Sequence, residues 1–276
     1  MFIAKTKQEI INFISHAKSQ AKIPLVAFAP TMGALHRGHL SLIELGKQHA
    51  GFVISSIFVN PTQFGPNEDF SKYPRTEEQD IKLLETVNCN GVFLPSADEI
   101  YGNDTTSPDI KINKSDILCG KFRPGHFAGV VQVVGKLFDI VKPDIAIFGE
   151  KDFQQLFILK ENFPNIKIIG APIIREPDGL AMSSRNKYLT PEQRLIAGKL
   201  NVILKNALAE IKNGNANIEK TLEKAQKDLL DSGFSKIDYI EAREEDTLEQ
   251  TTKATDKTRV FAAAWIDKTR LIDNLK

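Results

Sequence analysis

The sequence has few cysteines and no surplus of charge of either sign. Cys89 and Cys119 are the only cysteines in 276 residues, too few for the disulfide framework of a small secreted protein, and neither has the spacing typical of zinc ligands. Lysine and arginine number 36 and aspartate and glutamate number 35, which leaves a net charge of +1. Because phosphate neutralisation needs a basic surplus, nucleic acid is not expected to be a partner.

Long apolar runs are also absent. The longest, residues 52–59, contains two serines and is far shorter than the ~20 residues that a membrane-spanning helix needs. Near the N-terminus, Lys5, Lys7 and Glu9 interrupt the apolar residues, a pattern that does not fit a secretory signal peptide. Together with the small number of cysteines, these features predict a cytoplasmic protein with no membrane partner.

Up to about residue 175, short apolar runs alternate with segments of helical spacing. The predicted strands are residues 25–28, ended by Pro30, and residues 52–59, 91–94, 144–148 and 166–169. Capping patterns at Thr6–Glu9 and Thr76–Gln79 indicate where two of the intervening helices begin. Strand and helix in turn predict a parallel α/β sheet of Rossmann-like type.

The pattern changes near Arg175. A long helix is predicted to begin at Thr190–Gln193, with proline in its first turn, and a second helix near Asn217. Strand-like runs follow at residues 237–242, 260–266 and 270–272. We therefore predict a Rossmann-like domain at residues 1–175 and a smaller α+β domain at residues 176–276.

Ligands of open parallel sheets bind at the carboxyl ends of the strands, so the turns there are the first candidates for a site. The segment after the strand at residues 25–28 places His36, His39 and several free backbone N–H groups at the start of a helix. Such a helix start favours an anion, and Gly33 and Gly38 permit its close approach. The alternative is that the two histidines only cap the turn.

Three further segments carry polar residues where a ligand could bind. Gln63 follows the strand at residues 52–59, although an ordinary turn would look the same. Lys151 lies in the first turn of a helix, where a cation opposes the helix dipole and is better explained by a bound anion. Residues 179–186 form a polar loop that could close over phosphates, or be only a loop.

Six segments together resemble the pantothenate synthetase family, which condenses pantoate with β-alanine and belongs to the H-x-G-H nucleotidyltransferase superfamily. They are PTMGALHRGH at 30–39, SIFVNPTQF at 56–64, YPRT at 73–76, RPGHFAGV at 123–130, FGEKDFQQL at 148–156 and DGLAMSSRN at 178–186. The resemblance implies an ATP-dependent ligase that forms pantoyl adenylate and releases AMP and pyrophosphate. It also implies that residues 1–175 bind ATP and pantoate, that residues 176–276 act as a lid, that Mg²⁺ accompanies ATP, and that the protein is a homodimer.

The same resemblance assigns roles to single residues. Catalytic roles fall on His36, His39 and Lys151, with His39 donating a hydrogen bond or proton toward the departing pyrophosphate. The implied ATP ligands are Met32, Gly33, His36, Gly38, His39, Gly149, Glu150, Lys151, Asp152, Ile174, Met182, Ser183, Ser184 and Arg185. The implied substrate ligands are Asn60, Gln63, Gln155, Arg123 and His126, and Gln63 would also lie beside β-alanine. Asp80 is the candidate magnesium ligand.

Two other functions use the same first motif. One is a nucleotidyltransferase that transfers the nucleotide to a phosphate acceptor. Gln63 and Gln155 argue against it, because amides suit hydroxyls and a carboxylate better than a phosphomonoester. The other is a nucleotide-sensing module without turnover, against which the presence of both His39 and Lys151 argues.

Overall fold

The computed structural model describes residues 1–66, 68–102, 106, 110–214 and 217–276. The strands are β1 (Phe2–Ala4), β2 (Val26–Thr31), β3 (Phe52–Ile57), β4 (Gly91–Phe93), β5 (Ile145–Gly149), β6 (Lys167–Ala171), β7 (Lys236–Glu244), β8 (Thr258–Ile266) and β9 (Thr269–Leu275). The helices are α1 (Lys7–Gln20), α2 (Arg37–His49), α3 (Glu77–Thr86), α4 (Ala97–Tyr101), α5 (Leu118–Phe122), α6 (His126–Val141), α7 (Phe153–Asn162), α8 (Pro191–Lys212) and α9 (Ile218–Asp231).

The first six strands form one sheet in the order β1-β4-β3-β2-β5-β6, and every neighbouring pair is parallel. From β2 the chain continues outward on one side through β3, and it returns to the other side of β2 with β5. The order therefore reverses between β2 and β5, where an open α/β sheet leaves a crevice for a ligand. The predicted Rossmann-like sheet is confirmed, and the three-residue β1 is an addition to it.

Pro30 does not end its strand as predicted. Strand β2 pairs with β5 only at Ala27 and Phe28, whereas its pairing with β3 continues to Thr31. Pro30 thus lies where β2 has a neighbour on one side, a position in which a missing N–H is tolerated.

Two of the predicted helix starts are confirmed by reciprocal caps, and one is made differently. Thr6 and Thr190 each accept from a backbone N–H three residues on, and the residue there returns the bond. Thr76 precedes α3 but makes no side-chain cap; its hydroxyl donates to Asp80 instead. The predicted helix is present, but the predicted capping box is wrong.

The C-terminal strands form an antiparallel sheet in the order β7-β8-β9. Its buried face shares one apolar core with α8 and α9, including Leu200, Leu204, Leu229 and Val260. This arrangement confirms the predicted α+β part.

The chain divides into two compact units, Met1–Glu150 with Gln155–Pro172, and Lys151–Gln154 with Ile173–Lys276. The domain limits predicted from the sequence, 1–175 and 176–276, stay a proposal.

Both cysteines are free and buried, and burial raises the pKa of the Cys89 thiol to about 11. Among the described residues, no helix combines the length and apolarity needed to cross a membrane.

Candidate active site

Three turns with polar side chains follow the carboxyl ends of three adjacent strands. Residues 32–39 follow β2, the turn Pro61–Gln63 follows β3, and the turn Glu150–Asp152 follows β5. Because these strands are parallel neighbours, all three turns leave the same edge of the sheet.

His36 and His39 cap helix α2 through one ring nitrogen each. His36 Nδ1 accepts from the Gly38 N–H at 3.1 Å, and His39 Nδ1 accepts from the His36 N–H at 3.3 Å. The two ring centroids are 4.1 Å apart. A nitrogen that accepts carries no proton, so each neutral ring holds its proton on Nε2. Each histidine therefore caps the helix and is also an Nε2–H donor.

The predicted free backbone N–H groups at this helix start are not free. Gly33 N–H donates to Thr31 Oγ1, and the N–H groups of Ala34 and Leu35 donate to the Asp80 carboxylate. Together with the two histidine caps, these bonds engage five of the N–H groups at this helix start. For these five groups the expectation of free donors was wrong, because side chains satisfy them. The imidazoles are further donors that suit a phosphate.

Gln63 is held by two neighbours after β3. Its Oε1 accepts from Asn60 Nδ2 at 3.1 Å, and its Nε2 donates to Met32 Sδ at 3.1 Å, a weak acceptor. These contacts use one N–H and one lone pair, while an amide offers two of each. Gln63 can therefore bind a substrate hydroxyl or carboxylate without giving up either contact.

The surroundings of Asn60 do not suit its predicted role as a substrate ligand. It is 1% exposed, and its Nδ2 donates to Gln63 and to the Gly129 carbonyl. Its Oδ1 accepts from Tyr101 and Thr62. Burial raises the pKa of Tyr101, which keeps the phenol protonated as a donor. Asn60 thus positions Gln63.

Arg123 and His126 form a second support of the Gln63 segment. His126 Nδ1 lies 2.8 Å from the Gln63 carbonyl, and its Nε2 lies 3.0 Å from Arg123 Nη1. Arg123 also binds Glu68 through two nitrogens. Burial alone would raise the pKa of Glu68, but the bonds and charge of Arg123 outweigh it and hold the pKa below its ordinary value. The predicted substrate contacts of Arg123 and His126 stay a prediction.

Helix α6 approaches the turn so closely that only glycine fits at residue 129. A Cβ there would lie 2.3 Å from the Thr62 carbonyl oxygen and 2.7 Å from the Gln63 nitrogen. Both are backbone atoms, so the clash can be relieved only by moving the turn or helix α6.

We expect Gly129→Ala to displace Gln63 and to destabilise the fold by ~1–3 kcal/mol. If Gln63 binds pantoate, as the family resemblance implies, the variant should also bind pantoate more weakly. Gly135→Ala is the matched control on the same helix, because a Cβ there meets only the Phe163 ring at 3.5 Å. Thermal unfolding and calorimetry with pantoate measure both effects. Equal behaviour of the two variants would contradict this role of Gly129.

Lys151 lies in a single 3-10 turn, Glu150–Asp152, that leads directly into α7. Its Nζ is 3.8 Å from Asp152 Oδ2, and its carbonyl accepts from Asn274 Nδ2 at 3.0 Å. Asn274 is buried and its Oδ1 accepts from Arg259, whose guanidinium lies 4.1 Å from the Phe153 ring centroid. The C-terminal strands thus fix the backbone that carries Lys151.

Several contacts hold residues 174–188, which include the predicted polar loop 179–186. Arg175 pairs with Ala181 in an antiparallel bridge, and Met182 N–H donates to the Ile174 carbonyl. Arg175 also binds the buried Asp273 through two nitrogens at 2.7 and 2.9 Å. Ser183 then caps a 3-10 helix at Ser184–Tyr188. Backbone pairing, an ion pair and a cap thus shape the predicted loop, and its closure over phosphates stays a prediction.

The surroundings of Asp80 do not suit its predicted role as a magnesium ligand. It is 1% exposed, and its two oxygens accept from the N–H groups of Ala34 and Leu35 and from the Thr76 hydroxyl. A metal would have to reach a buried carboxylate that already accepts from three donors. Elsewhere in the described ranges, no three His, Cys, Asp or Glu side chains group as metal ligands would.

Sequence reasoning missed three supporting residues, Tyr101, Glu68 and Asn274. Each acts on a residue far along the chain, for example Asn274 on Lys151. Gly129 is a fourth residue that was missed, although it lies inside the quoted segment RPGHFAGV, which is a sequence signal.

Comparison with known sequences gives one family across the chain. The family described as Pantoate-beta-alanine ligase matches residues 2–276. The chain is 47% identical over 281 residues to a pantothenate synthetase of Thermoanaerobacter sp. (strain X514), covering 100% of this chain and 98% of that protein. It is 46% identical to that of Thermotoga petrophila, covering 99% of both.

Solved structures give the same result. The fold is similar to a pantothenate synthetase from Thermus thermophilus, with a TM-score of 0.89 and 36% identity, covering 100% of this chain and 99% of that chain. It is also similar to a pantoate-beta-alanine ligase from Francisella tularensis, with a TM-score of 0.83 and 38% identity, covering 100% and 97%. That structure is described as complexed with beta-gamma ATP and beta-alanine.

Proposed function

The chain belongs to the pantoate-beta-alanine ligase family, and on this premise we propose that it joins pantoate to β-alanine in two steps that convert ATP to AMP and pyrophosphate. The observation that carries the proposal is the pair of imidazole donors at the end of β2, in the same segment as Met32, which contacts Gln63. One turn thus offers donors for phosphate, and its neighbour an amide for a hydroxy acid.

In the first step a carboxylate oxygen of pantoate attacks the α-phosphorus of ATP, and the bond to the pyrophosphate oxygen breaks. A carboxylate is already ionised at neutral pH, so no general base is needed, only alignment and neutralisation of the charge that spreads over the phosphates. The Nε2–H groups of His36 and His39 supply hydrogen bonds to the phosphate oxygens. Lys151 supplies a positive charge, and His39 binds the departing pyrophosphate.

Pantoate is held by amides. Gln63, fixed by Asn60 and Met32, binds its hydroxyl or carboxylate, and Gln155 in the first turn of α7 is the second proposed ligand. Because neither amide is charged, these hydrogen bonds lower the nucleophilicity of the carboxylate less than an ion pair would.

In the second step the amine of β-alanine attacks the acyl carbon of pantoyl adenylate. The amide bond forms, AMP leaves with the electron pair of the broken acyl–oxygen bond, and the nitrogen loses a proton. Water must be kept from this mixed anhydride. Met182, Ser183, Ser184 and Arg185 remain proposed nucleotide ligands, together with Ile174, Gly149, Glu150 and Asp152.

Magnesium accompanies ATP in this proposal and would neutralise phosphate charge. An ATP-bound Mg²⁺ keeps most of its ligands from water and phosphate and needs few from protein. This fits a chain whose described residues offer no carboxylate cluster.

The comparisons oppose both alternatives, because the relatives over the whole chain are named as ligases and not as other nucleotidyltransferases or binding modules. A homodimer and a cytoplasmic location are also part of the proposal. The family resemblance supports the first, and the scarcity of cysteine supports the second.

Isotope exchange tests the adenylate directly. We expect the protein, given Mg²⁺, pantoate and ATP but no β-alanine, to exchange labelled pyrophosphate into ATP, because adenylate formation is reversible while pyrophosphate is present. Hydroxylamine added to the same mixture should trap the pantoyl group.

Other functions give other results. A binding module shows no exchange, a transferase exchanges only with its phosphate acceptor, and an enzyme forming an acyl phosphate releases ADP. If both exchange and trapping are absent while ATP is consumed to AMP, the two-step mechanism is wrong.

A further inference from the structure

The segment that leads into the histidine pair has an unusual backbone. Gly33 and Ala34 follow one another with positive φ, +81° and +50°. Glycine adopts this region freely, but in alanine the Cβ crowds the backbone, and the conformation persists only where the surroundings hold it. Something must therefore hold residues 33–35 in place.

The carboxylate of Asp80 contacts this segment directly. Its Oδ2 accepts from the Ala34 N–H at 2.9 Å and its Oδ1 from the Leu35 N–H at 2.7 Å. An ideal Cβ on Gly33 would lie 3.0 Å from the same Oδ2, which shows how closely the backbone packs on the carboxylate. Each oxygen thus fixes one of two consecutive peptide groups.

A carboxylate this deeply buried needs compensation. Asp80 is 1% exposed and lies in the first turn of α3, where the positive end of the helix dipole favours a negative charge. The Thr76 hydroxyl, 3.2 Å from both oxygens, adds a further donor. The helix dipole and the Thr76 hydroxyl thus both stabilise the Asp80 carboxylate, which is a fixed hydrogen-bond acceptor on α3.

We propose that Asp80 is a positioning residue for the nucleotide site: it holds the strained segment Gly33–Leu35 and so sets the direction in which His36 and His39 present their Nε2–H groups. The effect on ATP binding rests on the proposed function. The anchoring of residues 33–35 by Asp80 does not depend on that function. Asp80 thereby acts on ATP through the backbone and does not bind the metal.

The first test is amide hydrogen exchange without any ligand. In Asp80→Asn the amide keeps one oxygen and turns an NH₂ group toward the other peptide N–H, so at least one anchoring bond is lost. We expect the Ala34 and Leu35 amides to exchange about tenfold faster or more. Glu78→Gln is the control, since it removes a charge from an exposed position in the same helix turn. Unchanged exchange in Asp80→Asn, or an equal change in Glu78→Gln, would overturn the proposal.

The second test separates positioning from metal binding. We expect Asp80→Asn to lower pantoate-dependent pyrophosphate exchange by about tenfold to a hundredfold, with an unchanged Mg²⁺ concentration for half-maximal rate. Recovery of the wild-type rate at high Mg²⁺ would instead make Asp80 a metal ligand. Wild type with neither pantoate-dependent exchange nor hydroxylamine trapping would refute the proposed function and leave the first test valid.

A milder variant serves if Asp80→Asn does not fold. Thr76→Val removes the hydroxyl donor and leaves both backbone bonds to Asp80 in place. We expect a smaller acceleration of exchange, confined to the same two amides. No acceleration there would overturn the proposal.

Discussion

We expect His39→Ala to lower the rate of pantoate-dependent pyrophosphate exchange by about a hundredfold or more, the loss of ~3 kcal/mol typical of a preorganised transition-state donor. His39 Nδ1 accepts a backbone N–H, so its proton is on Nε2. That proton can bind the oxygen on which charge accumulates as pyrophosphate leaves. The rate of exchange with saturating ATP and pantoate measures the loss.

The alanine variant also removes a helix cap, which by itself costs ~1 kcal/mol of stability. His39→Asn separates the two effects, because the amide oxygen of asparagine can replace Nδ1 as the acceptor for the His36 N–H while no donor replaces Nε2. We expect His39→Asn to unfold at nearly the temperature of wild type and to be as slow as His39→Ala. Wild-type rates in His39→Asn would mean that the histidine serves only as a cap.

Much of the fold could be predicted because its signals are local. The apolar runs 144–148 and 166–169 became strands β5 and β6 within about two residues, and the caps at Thr6 and Thr190 were formed as predicted. The strand β1 could not be predicted, since it has three residues and exists only through its pairing with β4. Local patterns identify elements, whereas pairing partners depend on the rest of the chain.

The sequence identified the residues of the candidate site, but it could not distinguish residues that bind a ligand from residues that hold the site in place. The H-x-G-H pattern led to a choice between anion binding and capping. The structure shows that Nδ1 of each ring caps, from which we infer that the proton of the neutral ring is on Nε2. Asp80 and Asn60 were assigned as ligands because of the family resemblance. Only the structure shows that both are buried and that their polar atoms form hydrogen bonds with the backbone and side chains that hold the site.

Lys151→Ala has the second large expected effect, a loss of about a hundredfold to a thousandfold in pyrophosphate exchange, as for removal of a key charge-stabilising group. The ammonium group is the positive charge proposed to neutralise the phosphates as the α-phosphorus is attacked. Its side chain is 21% exposed and its nearest acidic partner, Asp152, is 3.8 Å away. Little stability depends on so loose an ion pair, so we expect the unfolding free energy to change by less than ~0.5 kcal/mol.

Lys160→Ala is the matched control for this variant, because Lys160 is an exposed lysine in the last turn of α7, the helix that follows the 3-10 turn of Lys151. It removes the same charge at the far end of that helix, and we expect it to keep the wild-type rate. Pantoyl adenylate supplied directly, with β-alanine, then tests the second step alone. Lys151→Ala should retain most of this activity, because the β- and γ-phosphates have already left. An equal loss in both steps would place Lys151 at the acyl group or the α-phosphate, and a normal exchange rate would remove it from the active site.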